Sequence, residues 1–276
     1  MRTDGIGIST LRTRVESWEC DFNGHWNARF YSAGFQMAAE RVATLGGGAN
    51  PGAGACVTRH IRYHRELFVG AAVGLRSARI AEGAFAGAVL HLLSGEEGLS
   101  ATAIDLPGTG AEQLPAAPAD VVRIATPRAA AQPVDWSAAE PAGQLAEVGP
   151  VRPAELDHAG ALRAEEIIRR VAYGLHGLLS GLGFTRAFET GHGIGRMAVE
   201  TRTTRLGPCA AGDLLRARSR VAGVGRRSFA TRHRLETTAG APVAEVAHRL
   251  VTVDLTARRA VDLPDFLRAL RSDEAG

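Results

Sequence analysis

Residues 20–35 read CDFNGHWNARFYSAGF, and they place Asp21, Asn23, His25 and Asn27 within seven positions ahead of an apolar stretch. From there Tyr31, Phe35, Ala38, Val42 and Leu45 recur at steps of three and four, the spacing of one buried helical face. The run LGGGANPGAGA that follows supplies glycines suited to a helix stop. Polar residues crowded before a buried helix have two physical readings. They cap its free amides, which is worth about 1 kcal/mol, or they form a reaction site. Asn27 fits the structural reading best.

Working outward, the chain repeats itself. VESWECDFNGHW from Val15 resembles VRPAELDHAGAL from Val151, with Glu19 against Glu155, Asp21 against Asp157 and Gly24 against Gly160. Further matches keep the same order: Gly70 with Gly212, TAIDL ending at Leu106 with VTVDL ending at Leu255, and Leu114-Pro115 with Leu263-Pro264. Each copy predicts one long helix and about four strands. In the second copy the helical face is Ile168, Val171, Leu175, Leu178 and Leu182. Period-two runs such as VTRHIRYH, LLRARSRVAGV and AEVAHRLVTVDL predict the strands. Between the copies, residues 107–153 hold eight of the twelve prolines, amid alanine. Proline removes a backbone donor and fixes φ, so this stretch reads as a linker or a surface-wrapping connection. The expected division is a first domain over 1–113, a linker over 114–145 and a second domain over 146–276.

Composition narrows the function classes. The chain has 276 residues, 45% of them hydrophobic and 22% charged, enough to bury ordinary cores. All 32 basic residues are arginines, spread along the chain with a formal net charge of only +3, which argues against a nucleic-acid stripe. Their guanidinium forks remain suited to phosphates of small molecules. Cys20, Cys56 and Cys209 are too few and too scattered for a disulfide framework or a zinc site, so a reducing, cytoplasmic setting is expected. No apolar run approaches the ~18 residues of a membrane span, and no membrane partner is expected.

WECDFNGHWNARFYSAGF is similar to the motif of the hot-dog fold thioesterases of the 4-hydroxybenzoyl-CoA thioesterase type: an Asp, then Gly-His, an Asn, and an aromatic opening the central helix. RYHRELFVG resembles the strand-and-glycine segment that follows that helix. The resemblance implies an α+β fold of two tandem hot-dog domains, each a long central helix wrapped by an antiparallel sheet. It also implies acyl-CoA as substrate, with no cofactor and no metal. A homodimer of the two-domain chain is left open. The second copy keeps Asp157 and Gly160 but has Ala159, Ala161 and Arg163 where the first has Asn23, His25 and Asn27. Fusion makes the pairing of copies intramolecular, so one copy can lose its chemistry and stay as scaffold.

Hydrolysis of a thioester needs a carboxylate to attack or to take a proton from water, and donors for the oxyanion that develops. The expectation is therefore Asp21 as base or nucleophile in a crevice between the copies. Asn23 and His25 are positioners, and the backbone N–H groups of Gly24 and His25 form the oxyanion hole. Asn27, Glu66 and Asp157 are weaker candidates; Glu66 in HREL could face the site from the neighbouring strand but reads first as an exposed strand carboxylate. A hot-dog enoyl-CoA hydratase is the nearest rival, and a non-catalytic acyl-CoA or lipid-binding protein the one from another class. His60 and His64 share a strand face but stand ~13 Å apart, too far for one metal ion. GHGIGR around Gly191, Gly193 and Gly195 reads as a loop, in the wrong order for a dinucleotide site. No G-x-S-x-G elbow is present.

Overall fold

The computed structural model describes residues 3, 5–21, 23–45, 47–128 and 144–270. The first half contains β1 (Ile8–Arg14), α1 (Ala28–Ala43), β2 (Thr58–Tyr63), β3 (Ala72–Arg79), β4 (Val89–Gly95), β5 (Gly98–Leu106) and α2 (Ala119–Ala125). The second contains β6 (Gln144–Pro150), α3 (Ala164–Gly181), α4 (Arg186–His192), β7 (Ile194–Arg205), β8 (Leu214–Val224), β9 (Ser228–Thr237), β10 (Pro242–Asp254), the short β11 (Arg259–Ala260) and α5 (Asp265–Arg268). Both long helices fall where the apolar periodicity predicts them. Tyr31, Phe35, Ala38 and Val42 of α1 are buried, as are Ile168, Val171 and Leu178 of α3.

All strands belong to one antiparallel sheet ordered β1-β3-β4-β5-β2-β7-β10-β9-β8-β6, with β11 on β10. The seam between halves is β2 against β7, running from Thr58 opposite Thr204 to Arg62 opposite Glu200. α1 packs on β1 and β3 to β5, α3 on β6 and β8 to β10, and the two helices touch each other. Each half thus wraps its own helix, and the join is made by main-chain bonds as well as by helix contact.

Two features depart from the sequence reading, and a third bears on the expected connection. β1 and β6 precede the helices and carry little period-two signal. Both are edge strands interrupted by bulges, between Ser9 and Leu11 and between Glu147 and Gly149, with β1 mostly exposed and β6 half-buried. The glycine-rich stretch read as a loop begins inside α4, whose Thr185 cap accepts from Phe188 N at 3.2 Å; Gly193, at φ 64°, ends that helix and Gly195 already lies in β7. Residues 114–128 lie along the first half: Ala116 bridges Arg79, and α2 sets Val121 and Ala125 against Ile80, Leu90 and Ile104. Of the rest of the expected linker, residues 129–143 lie outside the described residues and residues 144–145 open β6.

Each core also buries a polar pair that the sequence reading did not single out. Ser77 Oγ meets His91 Nδ1 at 2.7 Å in the first half, and Ser219 Oγ meets His233 Nδ1 at 2.8 Å in the second. The same fourteen-residue spacing in both copies was the available signal. In the first half His91 Nε2 continues to Asp105 Oδ2 at 3.3 Å. That serine-histidine-aspartate row is shut off from solvent, with exposures of 0%, 0% and 1%, so no acyl group reaches it. Asp105 is instead the partner of Arg59, which donates from Nε at 2.8 Å and from Nη2 at 2.5 Å. Burial raises the Asp105 carboxyl, but the adjoining Arg59 and His91 hold it well below the ordinary carboxylate range.

Candidate functional site

The loop of residues 20–27 and its counterpart 156–163 repeat bond for bond. Asp21 N donates to His25 O at 2.8 Å and Asp157 N to Ala161 O at 2.9 Å; Gly24 N and Gly160 N each donate back to the Asp carbonyl at 3.0 Å. Both glycines have positive φ, 78° and 80°, the left-handed turn that glycine adopts at least cost. Asn27 N and Arg163 N close the loops on Glu19 O and Glu155 O. The tight turn therefore does not depend on the residues at 23, 25 and 27, which leaves those side chains free to differ between copies.

Several expected roles look different in three dimensions. Asp21 Oδ1 accepts from Asn23 N at 2.8 Å and from His25 N at 3.1 Å, so one oxygen of this carboxylate holds the turn. Among the described residues no hydrogen bond occupies Oδ2. The amides of Gly24 and His25, expected to face an oxyanion, are both spent inside the loop, on Asp21 O and Asp21 Oδ1. A tight turn consumes its own donors, which residue type and spacing alone do not reveal. Asn27 caps α1, its Oδ1 accepting from Arg29 N at 3.0 Å, in agreement with the structural reading. Asn23 is exposed at the loop tip.

Glu66 is brought to His25 by main-chain pairing. Trp26 N donates to Leu67 O at 2.7 Å and His25 bridges Phe68, whose ring stands edge-on to the imidazole at 5.1 Å. Glu66 Oε1 lies 3.4 Å from His25 Nδ1, with both side chains mostly sheltered, and Glu66 Oε2 pairs with Arg258 of the second half. The sequence placed Glu66 on a strand facing solvent; it lies just past β2, on the turn that meets the helix loop. Counting back from the matched Gly70 and Gly212, the second copy has Pro208 in place of Glu66, beside Ala161 in place of His25.

Asp157 has a different environment. Its Oδ1 accepts from Ala159 N and Ala161 N, both at 2.9 Å, as Asp21 does, but its Oδ2 accepts from Ala53 N at 2.5 Å, across the join between halves. Burial raises this carboxyl, and the three amides outweigh that and lower it. His158 Nε2 adds a 3.0 Å contact to Asn50 O. Gly52, at φ 58°, is required here: a Cβ would stand 2.4 Å from Asp157 Oδ2.

Two cavities stand out among the described residues, and neither is lined by Asp21 or by residues 23–27. One, of about 20 Å³, is enclosed by Ser32, Gln36, Cys56, Arg59, Ala164 and Arg205 at the junction of the halves. The other is a groove of about 480 Å³ beside α2, with Arg62, Arg123 and Arg128 around Phe85 and Val122. The expected crevice at Asp21 is not among them. No described helix is long and apolar enough to cross a membrane. His60 Nε2 faces Glu200 at 3.7 Å and His64 Nε2 meets Thr102 at 3.2 Å.

Residues 151–270 match the family model described as the thioesterase-like superfamily. Among solved structures, a protein from Lactobacillus plantarum described as an oleoyl thioesterase aligns with a TM-score of 0.62 at 12% identity, covering 91% of this chain and 99% of its own. The 12:0-ACP thioesterase from Umbellularia californica aligns at 0.60 and 12% identity, over 90% of this chain and 95% of its own. An acyl-ACP thioesterase from Bacteroides thetaiotaomicron aligns at 0.60 and 10% identity, over 91% and 100%. No curated protein sequence matches. The fold is thus two tandem hot-dog domains, the architecture expected from the 20–35 motif, and the second of them carries the superfamily match.

Proposed function

We propose that the protein hydrolyses an acyl thioester, an acyl-CoA, at the first-half loop, with Asp21 as general base. One observation carries this reading: of two carboxylates held by the same turn, Asp157 has both oxygens engaged and no histidine matching His25 in its loop, whereas Asp21 keeps Oδ2 open in a loop whose His25 faces Glu66. The superfamily match supports thioester chemistry, though it falls on the half whose motif is depleted. That half serves as scaffold in this reading, and its Asp157 as a clamp on the first.

In this reading Glu66, whose Oε1 faces His25 Nδ1 at 3.4 Å, takes the Nδ1–H and so favours the tautomer in which Nε2 presents a lone pair. A water held between Asp21 Oδ2 and His25 Nε2 then directs its own lone pair at the thioester carbon. Asp21 takes the proton as the C–O bond forms. Because the Gly24 and His25 amides are committed, the oxyanion is met by the Asn23 side-chain amide and by the N–H of Ala28 at the start of α1, where the helix end is positive. Collapse breaks the C–S bond, and the departing thiolate receives the proton from Asp21. Arginines take the phosphates of the CoA arm.

The commitment of the Gly24 and His25 amides within their own loop favours a second reading, an acyl-CoA or lipid binder that never turns over. Purified protein offered acyl-CoA and acyl-carrier-protein thioesters of graded length and polarity decides between them. Release of free thiol, with loss of the ester carbonyl, is the expected result. Tight binding without thiol release supports the binder, and water addition to an enoyl group without thiol release supports a hydratase.

A further inference from the structure

Arg258 is the one non-glycine residue with positive φ among the described residues, at 51°. It ends the turn between β10 and β11. Asp254 builds that turn, its Oδ1 accepting from Thr256 N at 2.9 Å and Ala257 N at 2.8 Å, while Arg258 N donates to Asp254 O at 2.8 Å. Glycine or asparagine fits this position with less strain, and arginine adds nothing the turn requires. A strained residue kept without local reason points to a role for its side chain. The Arg258 side chain crosses from the second half and pairs with Glu66 Oε2, while the other oxygen of Glu66 faces His25 Nδ1 at 3.4 Å.

We propose that Arg258 is a positioning residue supplied by the second half: it clamps Glu66 so that this carboxylate holds the imidazole of His25 in one tautomer and one orientation. The clamp rests on the thioesterase reading for its effect on rate, but its effect on His25 stands apart from that reading. A two-oxygen carboxylate gripped on one oxygen by a guanidinium presents the other in a fixed direction. It also gives the second half a part in the site beyond scaffolding, since no described residue of the first half is seen to hold Glu66 Oε2.

The test uses the full chain with Arg258→Gln, Arg258→Lys and Arg258→Gly, the last relieving the backbone strain so that a folding defect is separable. With a thioester that the wild type hydrolyses, Arg258→Gln and Arg258→Gly lower kcat about three- to tenfold with KM within about twofold, and Arg258→Lys restores part of it. In a Glu66→Gln background the same substitution has no further effect. Ring nitrogen NMR of His25 shows one tautomer, protonated at Nδ1, in the wild type and a mixture in Arg258→Gln. Unchanged kcat and an unchanged tautomer ratio overturn the proposal, as does an equal loss in the Glu66→Gln background. If the tautomer follows Arg258 while the wild type hydrolyses no thioester, the clamp stands and the thioesterase reading falls.

Discussion

His25→Ala is expected to lower kcat/KM for a hydrolysed thioester about 10²- to 10³-fold, within the range a positioned proton-handling group contributes. The side chain is partly exposed and its backbone N–H, which completes the Asp21 turn, is kept by alanine. The second copy demonstrates that tolerance, because Ala161 makes the same bond to Asp157 at 2.9 Å. Stability should therefore fall little while rate falls much. Glu66→Gln should cost less than His25→Ala, since the amide still accepts from Nδ1–H through its oxygen. Steady-state kinetics alongside thermal unfolding separate the two effects. A His25→Ala protein that retains more than about a third of wild-type kcat/KM removes His25 from the site.

The largest stability effect is expected at Asp105. Asp105→Asn leaves the Arg59 guanidinium, 5% exposed, without its counter-charge beneath α1, where its other bonds are to the carbonyls of Ser32 and Phe35. Breaking a buried ion pair by removing one partner costs about 3–5 kcal/mol, because the remaining charge stays desolvated. Replacing Arg59 and Asp105 together by apolar residues of similar volume should cost much less. The sign with pH is fixed as well. The carboxyl is depressed in the fold, so its contribution is full above the unfolded carboxylate range and is lost only as pH falls below it. Urea unfolding at neutral pH, with the slope unchanged between variants, checks the magnitude. A double variant as unstable as Asp105→Asn would contradict the assignment.

Helical periodicity and the repeat made the two long helices and their following strands legible, because a buried face leaves a regular apolar record in α1 and α3. β1 and β6 left almost none, being short, bulged edges. Asp21, His25 and Asn27 could be singled out by their crowding, yet how each is used depends on bonds that spacing does not encode. Asp21 Oδ1 is drawn into its own turn, and the amides of Gly24 and His25 with it. Glu66 looked like an ordinary strand carboxylate because its neighbours, His25 far earlier in the chain and Arg258 192 residues later, are joined to it only by the fold. Asp157 was visible as the repeat of Asp21, but its grip on Ala53 N needed the halves to be docked. The buried Ser77–His91 and Ser219–His233 pairs could have been found from their equal spacing.

The claim that one of two matched carboxylates works and the other clamps is tested most directly by making Asp21→Asn and Asp157→Asn and following thiol release from the same acyl thioester. The side-chain amide in Asp21→Asn still offers an oxygen to the two loop N–H groups, so the account predicts a folded protein with kcat lowered at least about a hundredfold. Asp157→Asn should instead lower the unfolding midpoint, with kcat of the folded protein within about twofold of wild type. Undiminished turnover in Asp21→Asn, or a loss of turnover confined to Asp157→Asn, would contradict it.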